Sequence, residues 1–352
     1  MDLSKAFDCL DHPILLQKLH YYGIKDSAIK LLDNYLSNRM QYVEIATEST
    51  VTKSVSAQTP ILQTNTNKTK SDLGSIVIGV PQGSILGPLL FLIYINDFCK
   101  CSSFFTSILY ADDSTFSSSI TNNNDLNDTL NSELIKVCEW LESNKLCLNV
   151  KKTKYMIFNR TQTEININLK INGVKLDQVT HFNFLGLNIT NNLDWARHIN
   201  NICNKLSRNI GILRRLRTKL PFNVIKMLYY TLIHPHLTYM ILIWGHENAE
   251  ILKKQKQAMR IIHSKHYLSH SEPLFKSAKI LKVSDLHIQS QLKFTRKYID
   301  NKLPKYFMDN LNLRKNSDNH QYDTIHKNSF ILSKPKSEGS GKFLRNAIPS
   351  LI

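Results

Sequence analysis

Tyr110-Ala111-Asp112-Asp113 constrains this chain more than any other stretch. Strand-like runs flank it, Ser103 to Tyr110 before and Ser114 to Ser119 after, so the two acids are expected at the tip of a β-hairpin. Adjacent carboxylates at a tight turn repel one another unless a cation neutralises them, which points to a magnesium site serving phosphate chemistry. An isolated Asp-Asp is more often only a hydrophilic turn, so its weight depends on its company. A further acid, Asp2, lies near the start of the chain.

Around this hairpin the pattern mixes helices and strands. Ile14, Leu15, Leu19 and Tyr22 fall at helical spacing behind an Asp11 cap with Pro13 in the first turn, and a second helix is expected from Ala28 to Leu36. Residues 47–72 are rich in Thr, Ser, Asn and Lys without periodicity and read as a flexible surface insertion. Gly79-Val80-Pro81-Gln82-Gly83-Ser84 is a glycine-rich loop opening an apolar helix that runs through Ile95. Asn124 or Asp125 caps a helix whose Leu126, Leu130, Leu134, Val137 and Leu141 share a face. Tyr155 to Phe158 reads as a strand, and Ile165, Ile167, Leu169 and Ile171 alternate into an Asn172-Gly173 hairpin turn from which Val174 and Leu176 return. Phe182 to Ile189 reads as one more strand. Up to about residue 190 the chain is therefore expected to be α+β.

Beyond a boundary near 192 helices take over. Ile199, Ile202, Leu206, Ile210 and Leu213 make one stripe, Phe222 to Trp244 reads as two segments bent at Pro235, and Ile251 to Ile262 follows. The last eighty or so residues are polar and basic with weak periodicity, and read as a partly ordered tail.

Charge narrows the partners. Lys and Arg number 45 against 28 Asp and Glu, a net +17 whose natural partner is a polyanion. Lys205, Arg208, Arg214, Arg215, Arg217 and Lys219 lie beside the apolar stripe with no acid among them, which favours phosphate contacts over a merely solvated face. A membrane surface is the weaker partner, since no apolar run reaches the roughly 18 residues a spanning helix needs. There is no signal-peptide pattern, because Asp2 and Lys5 occupy the start. The six cysteines have no metal-finger spacing and fit reduced thiols, so an intracellular location is expected, nucleus or cytoplasm.

Asp2-Leu3-Ser4-Lys5-Ala6-Phe7-Asp8, the segment Gly79 to Pro88, Tyr110-Ala111-Asp112-Asp113, Asn149-Val150-Lys151-Lys152-Thr153 and Phe184-Leu185-Gly186 occur in the order of successive reverse-transcriptase motifs. Together they resemble the palm of a LINE-type, non-LTR retrotransposon polymerase of the jockey group. The resemblance covers residues 1–190 and continues more weakly through Leu193-Asp194-Trp195 and His234 to Tyr239, which resemble the thumb. It implies an α+β fold with a right-hand polymerase palm, an antiparallel sheet with packed helices, over 1–190. An all-α thumb-like region over 192–270 and a basic C-terminal region over 271–352 would follow.

The activity implied is RNA-directed DNA polymerisation, with an RNA template, a DNA primer, deoxynucleoside triphosphates and two magnesium ions, or manganese in their place. Asp2 and Asp112 match the pair of metal-binding acids, with Asp113 as their neighbour in support, and Lys152 matches a lysine that protonates departing pyrophosphate. Phe7 matches the aromatic ring under the nucleotide's sugar, and Gln82 and Gly83 match the loop that template and nucleotide approach. Phe184, Leu185 and Gly186 match the primer-holding hairpin. Each also has a plainer reading: a core aromatic for Phe7, a turn for Gln82-Gly83, a solvated charge for Lys152 and a core strand for 184–186.

Relatives carry a finger subdomain and an apolar strand before the first acid, where this chain has Met1. Asp2 is accordingly expected to lack a ladder and to be mobile, and the chain alone to polymerise poorly or not at all. The upstream endonuclease of complete elements is not in this sequence, so autonomous integration is not expected. The alternatives are a non-catalytic nucleic-acid-binding protein that uses the basic helix and tail, and a remnant with no function of its own.

Overall fold

The computed structural model describes residues 1–53, 61–119, 126–158, 167–246, 248–310, 313–315 and 330–332. Its chain divides into two compact units, residues 1–155 with 164–178 and residues 156–163 with 179–352. Each mixes helices with small two-stranded pairings, antiparallel in all but one case among the described residues. None of the described helices is long and apolar enough to cross a membrane.

In the first unit α1 (His12–Tyr21) starts where expected, with the Asp11 carboxylate accepting from the Ile14 amide at 3.1 Å. Lys145 Nζ bonds the same carboxylate at 2.6 Å and holds it below the usual acid range. α2 (Asp26–Leu36) leads to β1 (Arg39–Gln41), which pairs with β4 (Gly74–Ile76). Between them β2 (Glu44–Lys53) and β3 (Ile61–Lys70) form a continuous antiparallel ladder from Glu44↔Lys70 to Lys53↔Ile61. The irregular insertion expected over 47–72 is thus mostly strand. Its Thr-rich sequence suits extended backbone but lacks the apolar–polar alternation that makes a strand readable.

α3 (Leu86–Ile95) buries Leu90, Phe91, Tyr94 and Ile95 against Leu15 and Leu19 of α1. β5 (Thr106–Tyr110) and β6 (Asp113–Ser117) make the expected hairpin. α4 (Leu126–Ser143) buries Leu130, Leu134, Val137 and Leu141; its proposed caps, Asn124 and Asp125, lie outside the described residues, as does Ile165. The strand expected at 155–158 is shorter, with β7 (Lys154–Tyr155) pairing parallel to β10 (Asp177–Gln178). β8 (Lys170–Ile171) and β9 (Val174–Lys175) join through Asn172 and Gly173, both at positive φ as such a turn demands.

In the second unit the single strand that the residue pattern suggests over 182–189 is a hairpin, β11 (His181–Phe184) and β12 (Leu187–Thr190), turning where the resemblance implied a hairpin at 184–186. The hairpin belongs to this unit because Leu187 is buried in its core, so the division falls at 178/179 rather than near 192. α5 (Ala196–Leu216) buries the anticipated Ile199, Ile202, Leu206, Ile210 and Leu213. α6 (Phe222–Leu232) ends before Pro235, which opens α7 (His234–Thr238). Met240, left-handed at φ 48°, then separates α8 (Ile241–Trp244), giving three pieces where two were expected.

α9 (Ala249–Ile262) packs on α5. The tail does not begin at 271: α10 (Glu272–Ala278), α11 (Val283–Ile299) and α12 (Lys305–Asn310) follow, and Leu274, Phe275, Ala278, Val283 and Leu286 join the same core. A last pair, β13 (Leu313–Lys315) and β14 (Phe330–Leu332), is antiparallel.

Candidate active site

Four passes of chain lie side by side at the acids: β5, β6, Met1–Leu3 and Cys147–Asn149. Met1 and Ser114 exchange main-chain bonds, Met1 N to Ser114 O at 2.6 Å and Ser114 N to Met1 O at 3.1 Å. On the other side the Asn149 amide donates to Asp2 O at 2.9 Å and the Ser4 amide to Cys147 O at 2.8 Å. Asp2 is therefore bracketed by paired backbone on both sides. The ladder that Asp2 was expected to lack is thus present, as two short bridges.

The register decides which acids meet. Asp2 and Asp113 are direct antiparallel partners, and the neighbouring pair Met1/Ser114 exchanges the hydrogen bonds. Residues 2 and 113 thus form the closer, non-hydrogen-bonded kind of pair, with side chains on one face and Cβ atoms about 4.5–5.5 Å apart. Leu3 points to the opposite face and is buried. Asp112 occupies the adjoining turn, next to Ala111 at φ 51°.

Lys152 Nζ stands 3.3 Å from Asp2 Oδ2. Its segment is fixed by Asn149, whose carbonyl accepts from the Lys152 and Thr153 amides at 3.1 and 3.0 Å. Like charges opposite one another are unfavourable without a counter-charge, and Lys152 provides part of one. Among the described residues no three His, Cys, Asp or Glu side chains form a ready-made metal cluster. The opposed pair with its neighbour still offers hard oxygen donors only, the chemistry that suits magnesium or manganese.

Next to Asp2 the loop carrying Phe7 and Asp8 is stitched to the glycine-rich loop. Val80 N donates to Phe7 O at 2.9 Å, Gly79 N to Leu10 O at 2.7 Å, and His12 Nε2 lies 2.7 Å from Gly79 O. Gly79 has φ +82°, and a Cβ there would come within 2.7 Å of Asp8 O, so only glycine allows this approach. Phe7 packs its ring on Phe91, centroids 4.7 Å apart. Gln82 Nε2 donates to Asp8 Oδ1 at 2.8 Å. Gly83, also at φ +82°, has open space where a side chain would be. Ser84 Oγ accepts from Gly87 N at 2.9 Å and donates to Pro81 O at 2.8 Å, closing the loop onto α3.

In the second unit Leu185 and Gly186 are both left-handed and form the tip of the β11–β12 hairpin, with Phe184 at its base. Tyr239 covers that tip: its hydroxyl donates to Leu185 O at 2.5 Å, and a Cβ on Gly186 would meet its ring at 3.3 Å. Lys205, Arg208, Arg214 and Arg215 are exposed on α5, with Lys219 exposed and Arg217 half-buried just beyond it. Among the described residues none of the six takes part in an ion pair.

Sequence reasoning missed the supporting residues Asp8, His12, Asn149 and Tyr239. Asp8, Asn149 and Tyr239 stood inside the quoted motifs, but their partners are distant in sequence and nothing in a single chain reveals them.

The profile of the family described as reverse transcriptase (RNA-dependent DNA polymerase) matches residues 1–189. Two curated proteins of Drosophila melanogaster are similar along most of the chain. The probable RNA-directed DNA polymerase from transposon BS is 24% identical over 285 residues, covering 74% of this chain and 28% of that protein. The RNA-directed DNA polymerase from mobile element jockey is 23% identical over 301 residues, covering 81% and 30%. This chain thus spans under a third of the length of these relatives. No solved structure matches it.

Proposed function

The chain belongs to the reverse transcriptase family, in its LINE-type, non-LTR branch, and from that membership we propose that it is the palm and thumb-like part of an RNA-directed DNA polymerase. The observation that carries the reading is the opposition of Asp2 and Asp113 beside Asp112, with Lys152 3.3 Å from Asp2. Asp2, Asp112 and Asp113 would hold two divalent ions, which when bound activate the attacking 3′-hydroxyl and stabilise the leaving group.

In this reading the primer 3′-oxygen bonds the α-phosphorus of a deoxynucleoside triphosphate while the bond to the β-phosphate oxygen breaks, and Lys152 gives a proton to the departing pyrophosphate. The Phe7 ring, fixed against Phe91, makes a rigid wall that excludes a 2′-hydroxyl. Gly83 leaves the backbone bare for close approach by template and nucleotide. The hairpin at Phe184, Leu185 and Gly186 holds the primer, and the basic side chains of α5 contact phosphates.

The test is RNA-templated primer extension by the full chain with magnesium. The chain alone is expected to extend poorly, and whatever magnesium-dependent extension it supports should fall at least about a hundredfold in Asp112→Asn, the order expected on weakening a two-metal clamp; measurable extension that is equal in the variant and the original would break the reading. The basic face of α5, without ion pairs among the described residues, favours a second one, a non-catalytic nucleic-acid binder. Its signature is binding that weakens steeply with salt and ignores substitution of Asp112 and Asp113.

A further inference from the structure

All six cysteines are free thiols, and two of them meet close to Asp2. The antiparallel bridge Leu3↔Leu148 sets Cys147 opposite Ser4, and the Ser4 amide donates to Cys147 O at 2.8 Å. A regular ladder would return a bond from the Cys147 amide to Ser4 O. Among the described residues that return bond is not made, and Ser4 O accepts from Cys9 Sγ at 3.7 Å instead. Cys9 is brought back to Ser4 by a turn in which Asp8 N donates to Lys5 O at 2.8 Å. The two thiols are near enough to act on each other: burial first, and Cys147 second, push the Cys9 thiol up. Cys147 is exposed and Cys9 half-buried. Such a pair gives one sulfur that meets an oxidant first and a second that resolves it.

We propose that Cys9 and Cys147 are a redox pair that closes to an intramolecular disulfide on exposure to a peroxide, fastening the Asp2 pass to the Cys147–Asn149 pass. The Cys147 thiolate attacks one peroxide oxygen, the O–O bond breaks, and the leaving hydroxide takes up a proton as water. Cys147 is then a sulfenic acid. The Cys9 sulfur attacks that sulfur, the S–O bond breaks, and the departing hydroxide takes the Cys9 proton as a second water. Two thiols lose two electrons and two protons in all, and the peroxide is reduced to two waters. None of this depends on the polymerase reading. The link would join positions 147 − 9 = 138 apart in the sequence, and closing so long a loop restricts the opened chain strongly.

Hydrogen peroxide added to the full, reduced chain, followed by blocking of the remaining thiols and non-reducing peptide mapping, tests the pair. Two of the six thiols should be lost, one linked peptide should contain Cys9 and Cys147, and dithiothreitol should restore both. Cys9→Ser and Cys147→Ser should each abolish the link, the first leaving a trappable sulfenic acid on Cys147. Cys99→Ser with Cys101→Ser should leave the link unchanged. Hydrogen exchange at the Ser4 and Asn149 amides, which join the two passes, should slow at least roughly tenfold on oxidation of the original chain, and stay as it was in Cys147→Ser.

Six free thiols after peroxide, a sulfenic acid on Cys147 beside an unreacted Cys9 in the original chain, a link to another cysteine, or a link between two chains each overturns the pair. A Cys9–Cys147 link that leaves both amides exchanging as before overturns the fastening.

Discussion

In the first unit, Met1–Leu3 and Gly79–Val80 are held by main-chain hydrogen bonds to neighbouring passes, whereas α5 in the second unit is held by a stripe of buried Ile and Leu. The first arrangement depends on backbone geometry at single residues, Gly79 above all, and leaves Asp2, Asp8 and Gln82 free to carry chemistry. The second depends on apolar volume, for which several side chains would serve, and leaves the outer face of the helix free to carry charge. One region should therefore fail through a single misplaced Cβ, and the other through a cavity.

The largest effect should come from a cavity in the helical core. Trp244 is fully buried, and its indole NH donates to Tyr239 O at 2.9 Å. Trp244→Ala is expected to cost ~3–5 kcal/mol in denaturant unfolding; a loss below ~1 kcal/mol would contradict packing as the basis of order there.

Gly79→Ala comes next, at ~1–3 kcal/mol, because φ +82° and the 2.7 Å approach to Asp8 O both oppose a side chain. An equally stable variant would show that the two loops are not locked by this approach.

The helical core should also respond to acid. Burial first, and Lys205 second, push the His198 imidazole down from its ordinary 6.5 to about 4. Burial lowers His234, His263 and His287 in the same direction. The unfolded chain binds these protons more readily, so the contribution is complete above pH 6.5 and is lost as pH falls towards about 4. Melting temperature followed across that window should drop, and His198→Phe should flatten part of the slope.

The smallest effect on stability belongs to the charged face. Arg214→Gln with Arg215→Gln should change unfolding by under ~0.5 kcal/mol, yet reduce the salt dependence of nucleic-acid binding by about one unit of slope for each phosphate that is no longer neutralised. An unchanged slope would remove α5 from the nucleic-acid interface.

Where a period repeats over several turns, the sequence was legible. The α4 and α5 stripes, the Asp11 cap and the Asn172-Gly173 turn are local signals whose partners lie within a few residues. The β2–β3 ladder was hidden because its Thr, Ser and Lys do not alternate with apolar residues. The 185–186 turn was hidden from the residue pattern, and implied only by the resemblance, because Leu185 takes a left-handed conformation that leucine seldom adopts. Helices α10 and α11 were masked by their basic composition, although Leu274, Phe275, Val283 and Leu286 carry them into the core. At the site the acids were visible as a motif, but the pairing of Asp2 with Asp113 rather than Asp112 is a matter of register. Segments of three residues have no period to read.

Gln255 is completely buried, and its amide spans three elements: it donates to the Tyr229 hydroxyl at 2.9 Å and to Leu281 O at 2.8 Å, and it accepts from Val283 N at 2.8 Å. A fragment cut at residue 270 would keep the glutamine and remove two of its three partners, stranding polar atoms in a dry interior. Anyone trimming this polypeptide for expression should carry it through α11, because the basic stretch after 271 supplies the second half of a joint whose first half lies in α9.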